Sequence, residues 1–246
     1  MRHVSAFLPV LFIFIYLGMS SSKGDDATYA IGSLFVHIPP PEKFYRCDGK
    51  SDKVDRLLNS FIAPGNRDVA VFCDENDLAK VMGDQTPSFG RYFTVQVRQS
   101  LENEDITNSE FASVQNKLKE SVGDVIAGDK GEVDKKVESE SEMLSKAYNV
   151  SLNMKVGDIQ PLGVYNETTQ SSSFCMLEKV EIKVSDLQSK SIVMIAAGSL
   201  VHINKHLLYF YAFTSYQDQS DFMWARTSLK TWTDALIAAN AGGSTQ

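Results

Sequence analysis

The amino-acid sequence predicts an α+β fold: a largely antiparallel sheet covered by helices on both faces, a three-layer α/β/α sandwich. Two segments near the end, "SIVMIAAGSLVHI" (191–203) and "HLLYFYAFTSY" (206–216), are apolar on both sides of a strand. That pattern suits the middle of a sheet covered on both faces. The connections between strand segments are short, and Asn204-Lys205 reads as a tight turn, so the pairing is expected to be antiparallel. Other segments carry apolar residues at helical spacing along one side, and such a face is buried against a neighbour. With 246 residues and 43% hydrophobic content, the chain can bury a core without help from metals or disulfides.

The chain opens with Met1-Arg2-His3, an apolar run "AFLPVLFIFIYLGM" (6–19), and Ser20-Ser21-Ser22. A basic start, an apolar stretch and small residues before a cut are the parts of a secretory signal peptide. Residues 1–22 are therefore expected to be removed, with the cut between Ser22 and Lys23. A retained anchor is the competing reading, but a spanning helix wants about 20 apolar residues, and the run is shorter. No stable membrane span is expected after removal. A single sandwich domain is expected over 23–240, with an acidic helical segment at 102–148 and a flexible tail at 241–246.

Within that domain, "SLFVHIPPPEKF" is a short strand stopped by three prolines. "SDKVDRLLNSFI" reads as a helix capped by Ser51, with Val54, Leu57, Leu58, Phe61 and Ile62 on one face. "DVAVFC" is a strand, "ENDLAKVM" a short helix, and "RYFTVQVRQ" a strand in which Phe93, Val95 and Val97 alternate with Thr94, Gln96 and Arg98. "ITNSEFASVQNKLKESV" is a helix opened by Asn108 or Ser109, with Phe111, Val114, Leu118 and Val122 on one side. "EVDKKVESESEMLSKAY" repeats the pattern. From "NVSLNMKVG" onward the chain is strand-rich, through "SSFCMLEKVEIKV" to the two apolar strands above. After Tyr216 the period turns helical: Ala225, Leu229, Trp232, Leu236 and Ala239 form one stripe, Ser220 is the expected cap, and Trp224 lies at the border.

The formal net charge is −7, and no basic stripe suited to neutralising phosphates occurs, so a nucleic-acid partner is not expected. From Glu102 to Lys146 there are 12 acids and 6 bases, which concentrates nearly all the excess charge in the middle of the chain. That stretch reads either as a docking surface for a protein with a basic surface or as the solvated side of amphipathic helices. Cys47, Cys73 and Cys175 show no CxxC spacing, so neither a zinc ribbon nor a dithiol redox centre is supported. If a disulfide forms, Cys47 and Cys73 are the expected pair, because Cys175 is embedded in a central strand. Buried thiols acting as small apolar residues are the alternative. His202 and His206 flank the 204–205 turn and could meet across it to hold a metal, with Asp218 as a conceivable third ligand. No phosphate-binding glycine loop, HExxH or GxSxG occurs, and no cofactor is implied.

The closing order of strands followed by the terminal stretch "HLLYFYAFTSYQDQSDFMWARTSLKTWTDALIAAN" resembles the end of PsbP-like α/β/α sandwiches and of uncharacterised exported bacterial proteins that finish similarly. The resemblance covers the last 100 residues or so, and the first strand ending in "HIPPP" is compatible with it. That family includes photosynthetic lumenal proteins and a Ran-binding import factor. None of their functional residues is matched here, and the acidic segment at 102–148 has no counterpart among them. The expectation is an exported cell-envelope protein, periplasmic or secreted, acting as a non-enzymatic binding or accessory module. The alternative is an exported hydrolase or metal-dependent enzyme with an unrecognised site.

Overall fold

A computed structural model describes residues 27–59, 62, 65–83, 85, 87–122, 135, 137–139, 141–142, 145–146, 152–184 and 190–242. The signal boundary at Ser22 and Lys23, Phe61, and most of the second acidic helix read from the sequence lie outside these residues.

A two-stranded hairpin, β1 (Ala27–Ile31) and β2 (Leu34–Ile38), precedes the main sheet. The sheet has seven antiparallel strands: β3 (Tyr45–Arg46), β4 (Asn66–Cys73), β5 (Arg91–Arg98), β6 (Leu152–Glu167), β7 (Ser171–Val184), β8 (Lys190–Ile203) and β9 (His206–Ser215). Their spatial order is β3-β4-β5-β9-β8-β7-β6. The most apolar strand, β9, is therefore central, paired with β5 on one side and β8 on the other. Its alternation sends Leu207, Tyr209 and Tyr211 into one core, and Leu208, Phe210 and Ala212 into another. Each large apolar side chain buried this way stabilises the fold by roughly 1.5–3 kcal/mol.

Helices cover both faces, which makes a three-layer α/β/α sandwich. On the front lie α1 (Asp52–Asn59), α2 (Glu75–Met82) and α3 (Asn108–Glu120); on the back lie α4 (Gln219–Asn240) and the β1–β2 hairpin. Helix α3 presses Phe111, Leu118 and the following Val122 onto Phe174, Met176, Leu200 and Tyr209. Helix α4 lays Ala225, Leu229, Trp232 and Leu236 against Phe93, Phe210 and Ala197. Trp232 is held by both kinds of contact: its ring meets Phe72, Phe93 and Phe210 edge-on, and its indole N–H donates to the Pro39 carbonyl at 2.7 Å. Trp224 is half-buried under the loop that carries Phe44, with the Arg91 guanidinium 4.5 Å above its ring. Most of the aromatics at the end of the chain build the core or pack against it, whereas Tyr216 is exposed.

The caps differ from the sequence expectation by one or two residues. Thr107, not Asn108 or Ser109, caps α3, and Glu110 reaches back to the Thr107 N–H to complete a capping box. Asp218, not Ser220, caps α4, with Asp221 as its reciprocal partner. In both helices the acid three residues after the cap satisfies an orphan N–H that the cap side chain alone would leave open. Ala239, placed on the apolar stripe of α4 by its spacing, is exposed.

Candidate functional site

The β8–β9 hairpin is where the sequence brings two histidines closest. The turn holds two residues, Asn204 and Lys205, both at positive φ (47° and 69°), the geometry a tight hairpin requires. With Ile203 opposite His206 and His202 opposite Leu207, the two histidines stand on opposite faces of the sheet. They cannot grip one metal ion. On the front, the His202 ring stacks on Phe111 at 5.1 Å, and its Nε2 lies 2.7 Å from the Ile106 carbonyl, which fixes the start of α3. On the back, His206 is buried with Nδ1 near the Asn204 carbonyl and Nε2 with no partner among the described residues. Asp218 lies beyond the other end of β9. Among the described residues no three His, Cys, Asp or Glu side chains converge as a metal would need.

The acids just before α3 close this end of the molecule. Glu102 accepts from the Arg67 guanidinium and from the Gly32 N–H at 3.2 Å, while Arg67 also donates to the Ala30 carbonyl. One ion pair thus ties the β1–β2 turn to the sheet. Gly32 is at φ 56°, and a Cβ there would run into the Glu102 backbone, so the turn needs glycine for both conformation and space. The hydrogen bonds from Arg67 hold the Glu102 carboxyl below its ordinary value. Asp105 pairs with Lys205 across the surface at 2.8 Å. Three of the acids counted toward a docking surface, Glu102, Asp105 and Glu110, therefore have structural partners.

A row of polar side chains runs across the front of the central strands, where the alternation of β5 would suggest a face open to water. Thr94 and Gln96 on β5 are buried beside Tyr92, Tyr209 and Tyr211. Gln96 accepts from Asn66 at 3.1 Å, whereas the Thr94 hydroxyl is buried with no partner among the described residues. Burial pushes the Tyr92 and Tyr211 phenols up, and nearby Glu178 and Asp68 push Tyr92 further. Burial also raises the Glu178 carboxyl. These phenols remain protonated donors at neutral pH, able to orient a polar group. Asp77 is built differently. Burial alone would raise its carboxyl, but bonds from the Ser88 and Phe89 N–H groups, the Ser88 hydroxyl and Lys80 outweigh this and lower it. Asp77 pins the 88–89 loop onto α2.

The cysteines fall into two environments. Cys175 is on the back face of β7, where burial pushes its thiol up to about 12. Cys47 follows β3 directly, and Cys73 ends β4; both are fully buried on the front between α1 and α2. They share one buried cluster, and none of the three cysteines is in a disulfide in the structure.

No helix among the described residues is long and apolar enough to cross a membrane. No protein-family model matches the chain, and no curated protein is similar to it.

Proposed function

We infer that the chain is an exported cell-envelope protein that acts as a non-enzymatic binding module, and that its partner is a protein with a basic surface. The observation that carries this reading is the concentration of charge. After Glu102, Asp105 and Glu110 are assigned to structural partners, eight acids against four bases remain from Glu120 to Lys146. Most of that stretch lies outside the described residues, so the reading rests on its composition. A single-sign field of this kind draws oppositely charged partners over the screening length, about 8–10 Å at ordinary ionic strength. The leader-like residues 1–22 support export, and the closing strands with their terminal helix support kinship with PsbP-like sandwiches as part of the same reading.

Two measurements test it. Amino-terminal sequencing of exported material should begin at Lys23; an intact Met1 on protein recovered from the envelope would defeat cleavage. Partners recovered from the exported fraction at low salt should be basic proteins that are released as salt rises. Retention that ignores salt, together with turnover on a broad hydrolase panel, would favour the exported enzyme instead.

A further inference from the structure

The Cys47 and Cys73 pair sits where two paired strands meet under a helix. Tyr45 is opposite Cys73 and Arg46 opposite Phe72. The register continues to Cys47, whose N–H donates to the Val71 carbonyl at 2.9 Å. Cys47 and Cys73 therefore stand on the same face as diagonal neighbours, a placement with Cα atoms about 7–8 Å apart, so a bond between them draws β3 toward β4 by about 1 Å. Both are fully buried, enclosed with Val54 and Leu58 of α1, Val81 of α2, and Tyr92. The Cys175 thiol is on the opposite face of the sheet. Asp48 holds the turn that follows Cys47, accepting from the Val71 N–H at 2.8 Å and from Arg46.

We propose that Cys47 and Cys73 form a disulfide while the chain folds in an oxidising compartment, stapling the β3 edge and α1 to β4. The oxidant is a small-molecule disulfide such as oxidised glutathione, or a protein disulfide of the same class. One cysteine thiolate attacks a sulfur of the oxidant, forming a mixed disulfide and releasing one thiol. The second cysteine thiolate then attacks the protein sulfur of that mixed disulfide and expels the other thiol. Two protein thiols are oxidised, one oxidant disulfide is reduced, and the two cysteine protons pass through solvent to the two released thiols. The reaction belongs to folding because the folded site opposes it. Hydrogen bonding to Cys73 and burial hold the Cys47 thiol in its protonated form, and only the thiolate attacks. Before α1 closes over the strands, both thiols are open to the oxidant.

The test is refolding of the full chain in mixed oxidised and reduced glutathione, followed by acid trapping, alkylation and non-reducing peptide mapping. Most molecules should carry a Cys47–Cys73 link with Cys175 alkylated. The linked form should resist urea to a higher midpoint, and dithiothreitol should remove the gain. Cys175→Ser should leave both results unchanged, and Cys73→Ser should abolish both. The map of the unaltered chain decides the matter even if Cys73→Ser does not fold. All three thiols alkylated after refolding, or a link to Cys175, would overturn the pair. The folded, reduced protein should oxidise at least tenfold more slowly than the refolding chain; equal rates would overturn the timing. The oxidising compartment is the one the proposed export supplies, but refolding in glutathione tests the pair without export or the acidic segment, so the two proposals fail separately.

Discussion

Gly198 stands between two aromatic rings in one row of the front face. Phe174 is its neighbour on β7 and Tyr211 its neighbour on β9. The two rings meet edge to face at 6.3 Å over the space a side chain would fill, and a Cβ on Gly198 would fall inside the Phe174 ring. Gly198→Ala should therefore destabilise the fold by about 1–3 kcal/mol through overpacking. Urea unfolding reads this directly, and an unchanged midpoint would mean the rings do not share that row. The Arg67–Glu102 pair makes a second prediction at this scale. Because Arg67 holds the Glu102 carboxyl below its ordinary 4.5, the folded state favours the ionised form. Its contribution is fully present above that ordinary value and is lost as pH falls through the lowered folded-state value. Glu102→Gln should lower stability at neutral pH and flatten the acid side of the stability profile. A parallel profile, displaced but equally steep, would assign that acid sensitivity to other carboxylates.

Among the elements, α4 contributes the largest apolar stripe. Leu229 is fully buried at its centre, against the core that includes Phe93 and Phe210. Leu229→Asp should cost roughly 3–5 kcal/mol, because the new charge would have no partner in an apolar core; an unchanged melting temperature would contradict this packing. Helix α4 and strands β7, β8 and β9 were legible in the sequence, the helix by an apolar stripe at helical spacing and the strands by long apolar runs, on both sides in β8 and β9. Strand β1 was not: it has five residues, and its polar and apolar positions give too little alternation to separate it from a loop. Strand β6 runs beyond the segment "NVSLNMKVG", across Gly157, Pro161 and Gly163, residues that ordinarily interrupt a strand. At the sheet edge they are tolerated, and three register shifts along its pairing with β7 absorb them. The polar row was hidden for another reason. Thr94 and Gln96 alternate with Phe93, Val95 and Val97 as a water-facing side would, and only the tertiary packing buries them. The histidines were misread for want of parity. With a two-residue turn after Ile203, residue 206 shares a face with 203, so His202 and His206 had to diverge.

At the scale of the whole molecule, the seven-stranded sheet separates one apolar cluster on the back from two on the front, and the described elements bury large side chains on both faces. In the sequence the acids outnumber the bases by eight to four from Glu120 to Lys146. Stability and partner binding should then be separable by substitution. The most direct test replaces Glu132, Asp134, Glu138, Glu140 and Glu142 together by Gln or Asn. It compares the variant with the unaltered protein for recovery of basic partners from the exported fraction at low salt. Circular dichroism and the urea midpoint report whether the sheet is intact. The expected result is a variant with the same spectrum and nearly the same midpoint that recovers at least tenfold less of those partners. A folded variant that recovers them as well as the unaltered protein would show that the acidic segment is only a solvated surface and would contradict the proposed function.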